Sequence, residues 1–263
     1  MAEVKVVFDD AAAYDRLMGP WSRMIGERFI DWLNPPKGLR WLDIGCGAGA
    51  FTQIIQHTAA PTAVVGVDPA EAQIAHARIQ APDAEFQVAD AMALPFADGE
   101  FDIVTSALVI NFIPDRAKAL TEMYRVLRPG GLVTAYVWHR APTANDAPFA
   151  PIERGLETIG AEVLRPPMRP ESTPAGASAA LRAAAFSDIA VTLLEATRRF
   201  RDFDDYWDTH CVPIAPPGQA IAKLSDQGRQ KLRARMRSIL PASDDGSVSY
   251  SSRALAFKAR KPA

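Results

Sequence analysis

Cysteine is nearly absent: Cys46 and Cys211 are the two among 263 residues. They cannot build a disulfide framework or a four-thiolate metal site, so a stapled secreted fold is excluded and reduced thiols in a cytoplasmic protein are expected. No metal is expected. Long apolar runs are missing too, since the longest, Ala107 to Ile113, is broken by Asn111 and falls well short of the roughly 20 residues a membrane span needs. The start, MAEVKVVFDD, has neither the basic end nor the apolar core of an export signal. A net charge of −2 leaves no footprint for nucleic acid or an anionic membrane, and the basic cluster Arg229 to Arg237 reads as a solvated helix face. There is no internal repeat, and nothing in the sequence sets the oligomeric state. What remains, at 28.5 kDa with 48% hydrophobic and 23% charged residues, is the composition of a globular chain of one large domain with an insertion or cap.

The most informative stretch is LRWLDIGCGAGAFTQII, Leu39 to Ile55. Leu39, Trp41, Leu42 and Ile44 form an apolar run of the length of a buried strand, and Phe51, Ile54 and Ile55 then recur at helical spacing. Between them Gly45, Gly47 and Gly49 let the backbone turn sharply and bring its amides close to a ligand. Cys46 in this loop reads as a small space-filler. Gly45, Gly47 and Ala50 also fit the dinucleotide fingerprint, in which a pyrophosphate lies at the helix N-terminus. Asp43 argues against that ligand, because a carboxylate there repels a pyrophosphate but suits an ammonium or sulfonium cation. S-adenosylmethionine carries both cations.

A second acidic strand end follows about twenty residues later. Ala63 to Val67 with Asp68 places a carboxylate where it can accept from both ribose hydroxyls; the competing reading is a cap on the helix that begins near Pro69. Further strands are expected over Glu85 to Ala89, Phe101 to Ala107 and after Pro129-Gly130-Gly131, which stops a helix over Asp115 to Leu127. Strands alternating with helices predict a parallel sheet covered on both faces, with the site at the strand carboxyl ends. Upstream, Asp10 to Leu33 has helical periodicity interrupted at Gly19-Pro20. Downstream, Arg140 to Gly176 is rich in Pro, Ala and Gly, with a helix near Ile152 to Leu164. It carries too few apolar residues for a core of its own, so it reads as an insertion over the strand ends.

LDIGCGAGAF resembles the first motif of the class I S-adenosylmethionine-dependent methyltransferases. The order of later segments is most similar to the branch that includes the ubiquinone and menaquinone methyltransferases. LPFADGEFD and LRPGG extend the resemblance, which runs from about Arg40 to Trp138. It implies a Rossmann-like, doubly wound α/β fold with a seven-stranded, mostly parallel sheet. Phe186 to Phe200 and Ser252 to Lys258 would be its sixth and seventh strands, the last antiparallel. The expected division is a helical cap over 1–38, the cofactor-binding half over 39–140, a lid over 141–185 and the rest of the same domain over 186–263. The resemblance also places Asp90-Ala91 at the adenine and Ser106, Ala107 and Leu108 beside the cofactor. It lets Tyr14, Trp21 and Arg23 of the cap line the pocket, docking on the core being the other reading of those aromatics. Family members often carry a histidine after the fourth strand; here Asn111-Phe112 stands instead, leaving polar contact and packing as its roles. Trp138, Tyr206 and Trp207 are further acceptor-side candidates.

The implied reaction is methyl transfer to an O, C or N atom of a small-molecule acceptor by in-line displacement. Such a reaction needs alignment and dryness more than a catalytic residue. A base is needed only if the acceptor must lose a proton, and His139 and His210 are the candidates. Two alternatives stay open: an NAD(P)-dependent oxidoreductase using the same glycines and Asp68, and a non-catalytic binder of S-adenosylmethionine.

Overall fold

The computed structural model describes residues 11–141, 144–163, 165, 169–213 and 215–263, with backbone only for 11–16 and Ala144. One seven-stranded sheet contains β1 (Arg40–Ile44), β2 (Ala63–Asp68), β3 (Glu85–Val88), β4 (Phe101–Ala107), β5 (Leu127–Trp138), β6 (Ser187–Phe200) and β7 (Val248–Arg260), in the order β3-β2-β1-β4-β5-β7-β6. Strands β1 to β5 pair in parallel and β7 runs antiparallel to β5. The mostly parallel seven-stranded sheet with an antiparallel last strand is therefore observed. The strand order reverses direction between β1 and β4, and in doubly wound sheets that reversal opens a crevice at the carboxyl ends. Among the described residues no helix is long and apolar enough to cross a membrane.

The chain divides into two compact units. Of the described residues, one holds those within Ser22–Ala144, Arg169–Leu194 and Ala254–Ala263, and the other those within Met1–Trp21, Asn145–Met168 and Glu195–Arg253. The first contains the glycine loop and its flanking helices α2 (Ala50–Ala59), α3 (Glu71–Gln80) and α4 (Arg116–Val126). Its core joins Leu42, Ile44, Val65, Val67, Val104, Leu120, Val133 and Phe257, among others. Phe29 packs on Tyr136 of β5 at 4.8 Å between ring centroids and on Phe51 of α2 at 5.9 Å, which fixes α2, and hence the turn that precedes it, against the sheet. The second unit contains α5 (Ala150–Thr158), α7 (Phe203–Cys211), α8 (Pro216–Ala222) and α9 (Asp226–Ile239). A Cβ on Gly155 would meet Met236 Sδ at 2.4 Å, so α5 and α9 approach too closely there for any side chain.

Several local expectations are corrected. The first helix, α1 (Ala11–Leu33), runs through Gly19-Pro20 without a break. A proline costs its helix one hydrogen bond, but Leu17, Met18 and Trp21 on one side and Ile25, Phe29 and Ile30 on the other are buried, and that burial outweighs it. The helix expected to reach Leu164 ends at Thr158, where Gly160 takes φ 72°. Gly160 N–H donates to Glu157 O and Ala161 N–H to Leu156 O, both at 3.0 Å, a Schellman termination. Pro129-Gly130-Gly131 does not stop α4, which ends at Val126; it forms a bulge inside β5. Phe101 pairs with Leu127, but Ile103 pairs with Leu132. The insertion also holds a second helix, α6 (Pro174–Ala183), capped by Thr173.

Phe29→Ala should remove a fully buried ring from this aromatic contact and cost ~3–5 kcal/mol, read as a lower denaturant midpoint. An unchanged midpoint would show that α1 does not brace β5.

Candidate cofactor site

Strand β1 delivers Asp43 and Ile44 to the turn, where Gly45, Gly47 and Gly49 take φ of 71°, 53° and 88°, values that favour glycine. The Gly45 and Cys46 amides both donate to Val67 O, at 2.7 and 3.0 Å, tying the loop to the end of β2. The two inner glycines serve different ends. A Cβ on Gly45 would lie 2.3 Å from Val109 Cγ1, whereas a Cβ on Gly47 would meet nothing closer than Gln73 Oε1 at 3.9 Å. Gly45 is thus required by the protein's own packing, while a Cβ on Gly47 would make only ordinary van der Waals contact with Gln73, so the glycine there answers to its backbone conformation. Helix α2 starts behind Gly49 without a side-chain cap, so its first amides keep their donors.

Asp43 is 0% exposed. Thr52, on the buried side of α2, donates to Asp43 Oδ2 at 2.7 Å, and Asp43 Oδ1 meets no donor among the described residues. Burial pushes the carboxyl up, the Thr52 hydrogen bond lowers it and the Asp68 charge raises it, leaving it at about 7. Burial, with Asp43 and Asp68 nearby, likewise raises the Cys46 thiol far above its ordinary value, which removes the thiolate a nucleophilic role would need. Asp68 accepts from Gly47 N–H at 3.1 Å and from Ala70 N–H at 2.9 Å. Helix α3 has Ala70 at its N-cap and no side-chain cap, so Asp68 bridges the glycine loop and the Pro69-Ala70 corner instead of capping α3. Each oxygen keeps lone-pair capacity for a hydroxyl. Asp90 Oδ1 accepts from Met92 N–H at 2.8 Å, and Ala91 beside it is buried. At the end of β4 the non-glycine Leu108 takes φ 62°, a costly conformation of the kind that clusters at functional sites, and its amide donates to Tyr136 O at 2.8 Å. Ser106 is buried there, its hydroxyl without a partner among the described residues.

Comparison with known proteins decides what this turn belongs to. Residues 42–135 match the family model described as a methyltransferase domain. The chain is 34% identical over 144 residues to the 2-phytyl-1,4-naphtoquinone methyltransferase of Thermosynechococcus vestitus, covering 50% of this chain and 62% of that protein. It is 44% identical over 108 residues to the demethylmenaquinone methyltransferase of Thermus thermophilus, covering 40% and 49%. Residues 42–135 are thus similar to the methyltransferase domain of the class I S-adenosylmethionine-dependent enzymes. The chain spans less than two thirds of the length of these curated relatives. Fold likeness reaches further: a methyltransferase of Bacillus halodurans superposes with TM-score 0.59 at 19% identity, over 90% of this chain and 99% of that one. The phosphoethanolamine N-methyltransferase 2 of Haemonchus contortus, solved with S-adenosyl-L-methionine, superposes with TM-score 0.56 at 20% identity, over 95% and 56%.

Around this methyltransferase turn the other candidates fall into two groups. Asn111 and Phe112 form a 3₁₀ turn after β4; Trp138 ends β5 and His139 follows it, buried; Arg23 is exposed on α1. All of these share the compact unit of the glycine loop, whereas Trp21, Tyr206, Trp207 and His210 belong to the other. The side chain of Tyr14 lies outside the described residues. In the second unit Trp21 packs on Tyr250 at 5.2 Å and Tyr206 on His210 at 4.2 Å between ring centroids, while Trp207 stacks on Phe203. His210 has both nitrogens engaged, Nδ1 with Tyr206 O at 2.8 Å and Nε2 with the Tyr250 hydroxyl at 3.1 Å. Burial lowers it to about 4, so it is neutral at pH 7. Thr52 was not among the residues singled out in the sequence. Its signal was a hydroxyl next to Phe51, nine positions after Asp43.

Asp43 also sets a pH dependence. Its pKa rises from 3.8 to about 7 on folding, so the folded chain holds the proton more tightly, and that contribution is present below about pH 4 and lost as pH rises through 7. Asp43→Asn should therefore stabilise the ligand-free protein by ~1–3 kcal/mol at pH 8, with a smaller gain at pH 5. Thermal unfolding at the two pH values measures this; equal gains at both would assign the titration to another group.

Proposed function

We propose that this protein transfers a methyl group from S-adenosylmethionine to an O, C or N atom of a small hydroxylated aromatic acceptor of the hydroquinone type, acting in the cytoplasm. The observation that carries the cofactor half is the arrangement of three carboxylates at or just beyond the ends of β1, β2 and β3, around a turn of three glycines at positive φ. Asp43, with one buried oxygen that meets no donor among the described residues, would hold the cationic end. Asp68 would hold the ribose hydroxyls through its remaining lone pairs, and Asp90 with the Ala91 amide would hold the adenine edge. Gly45, Cys46, Gly47 and Gly49 would form the cradle, with Pro69 at its corner and Ser106, Ala107 and Leu108 closing the far side. Bound there, the cofactor supplies a methyl group already activated by its sulfonium. The chain's own task is alignment and exclusion of water, worth up to ~7–11 kcal/mol when the geometry is right.

The acceptor half rests on the relatives, two of which are named for naphtoquinone and menaquinone substrates. Asn111, Phe112, Trp138 and His139, at the ends of β4 and β5, are its residues in this reading. His139 would serve as a base only for an acceptor that must lose a proton. A nicotinamide dinucleotide is disfavoured because its pyrophosphate would meet the Asp43 charge at the loop.

Calorimetry should show binding of S-adenosylmethionine and S-adenosylhomocysteine but not of NAD. Tritium from labelled cofactor should appear in a reduced naphthoquinone or phenol panel. Cofactor binding without transfer to any panel member would leave a binding protein, and heat from NAD alone would restore the oxidoreductase reading. Asp68→Ala should weaken S-adenosylhomocysteine by ~1–3 kcal/mol, through lost charge-assisted hydrogen bonds and a freed Gly47 amide; unchanged affinity would remove Asp68 from the site.

A further inference from the structure

The turn after β4 touches both the glycine loop and a segment of the insertion. Val109 fills the space over Gly45, within 2.3 Å of where a Cβ would sit, so the turn that continues into Ile110–Phe112 is braced directly on the cofactor cradle. From the other side, Asn111 Nδ2 donates to Ser172 Oγ at 2.9 Å and Arg116 Nε donates to Glu171 Oε1 at 2.9 Å. Arg116 Nη1 also donates to Ile113 O at 3.3 Å. The Pro170–Ser172 turn that brings Glu171 and Ser172 is itself rigid. Ser172 N–H donates to Arg169 O, and Thr173 N–H to Pro170 O. A Cβ on Gly176 would lie 2.0 Å from Pro170 O, so α6 packs directly on the turn.

Two acceptor oxygens in this cluster are buried and meet no donor among the described residues: Asn111 Oδ1 and Glu171 Oε2. Glu171 as a residue is 9% exposed. Leaving such atoms without a donor costs free energy, and two of them beside one turn mark a place where a donor from outside the chain is accommodated. Next to them Phe112 is 59% exposed, an apolar ring in water at the strand end where this fold binds ligands. The charge balance selects the kind of donor. Arg116 already neutralises Glu171, so an ammonium there would be repelled by the guanidinium, whereas an uncharged O–H loses nothing.

We propose that Asn111 Oδ1 and Glu171 Oε2 accept hydrogen bonds from a ring hydroxyl of the methyl acceptor, with the acceptor's ring against Phe112. This inference rests on the methyl-transfer reading and assigns the residues that would hold the acceptor's hydroxyl. Glu171 and Asn111 are positioning residues in it. Arg116 holds the Glu171 carboxylate in place.

The test uses the full chain saturated with S-adenosylhomocysteine and two probes titrated anaerobically: 1,4-naphthohydroquinone, which has two hydroxyls, and 1,4-dimethoxynaphthalene, which has none. The hydroquinone should bind about tenfold or more tightly than the ether, the discrimination expected of a site built to pair a hydroxyl. Glu171→Gln keeps the shape but turns the free acceptor into a donor, and should reduce that ratio to about threefold or less. Asn111→Ala should reduce it as well. In both variants S-adenosylhomocysteine affinity and the far-UV circular dichroism spectrum should stay at their wild-type values, which separates lost recognition from lost structure. Equal binding of the two probes to the wild-type chain would overturn the proposal, as would a ratio unchanged in both variants or no binding of either probe to the cofactor-loaded chain. Failure of the wild-type chain to bind S-adenosylhomocysteine would instead overturn the methyl-transfer reading beneath it.

Discussion

A carboxylate buried under a glycine turn is the constraint on which the rest of this site depends. Asp43 sits on β1 in register with Gly66 of β2 and Thr105 of β4, in the middle of a sheet covered by helices. Burying a charge there is expensive unless it is paired or hydrogen-bonded. The chain meets half of that requirement with Thr52, on the first turn of the helix that the glycines launch. The same hydrogen bond therefore stabilises the acid and pins α2 over the end of β1. It sets where the Gly45-to-Gly49 backbone passes, because the loop is held at one end by Asp43's own strand and at the other by Asp43's hydrogen-bond partner.

The neighbouring strands complete the cradle from the far side. Val67 O receives two loop amides and Asp68 a third, so β2 clamps the turn three times. Val109, just past the end of β4, occupies the volume that any side chain at Gly45 would need. A turn held by β2 and packed by β4 cannot adjust to a new residue at Gly45 without moving both strands. At Gly47 the constraint is different, because a Cβ would fit beside Gln73 but the φ of 53° is one that side chains rarely adopt. Substitutions at the two glycines would thus fail for different reasons, one by displacing protein and the other by straining the backbone that gives its amide to Asp68.

Much of this architecture was readable in the residues. The apolar runs ending in Ile44, Asp68 and Ala107 are β1, β2 and β4, because a parallel strand buried on both faces is written as a continuous apolar run. Less was readable where tertiary packing overrules local preference. Pro20 looks like a break, but burial on both sides carries α1 through it. The LRPGG segment has the composition of a helix stop, yet Gly130 pairs with the backbone of Lys261, over a hundred residues away. That partner is invisible to local reasoning. Helix α6 was missed because alanine and glycine dilute its periodicity, although Thr173-Pro174 is a legible start. At the glycine turn, the three acids and the glycines are legible from spacing and resemblance. Thr52, Glu171 and Ser172 are not, because each matters through a partner distant in sequence.

The register of the sheet explains why Asp43 stays poised near neutrality. Asp43 pairs with Thr105, Thr105 with Thr134, and Thr134 with Lys258, so four polar residues lie in one row across four strands, and in-register neighbours share a face. Lys258 is not the counter-ion of the acid: three strand spacings separate them, on the order of 14 Å, and its ammonium instead lies 4.4 Å from the Trp32 ring centroid and 3.4 Å from Trp32 O. The two threonines between them are neutral, with hydroxyls that meet no partner among the described residues. The row therefore places polarity beside Asp43 without placing positive charge there. Burial raises the carboxyl and only one hydrogen bond opposes it, so a cation arriving at Oδ1 would find the acid close to its titration midpoint at physiological pH. Binding a cation there would release a proton from the fraction of molecules still protonated, and the affinity for a cationic ligand would rise with pH across 7.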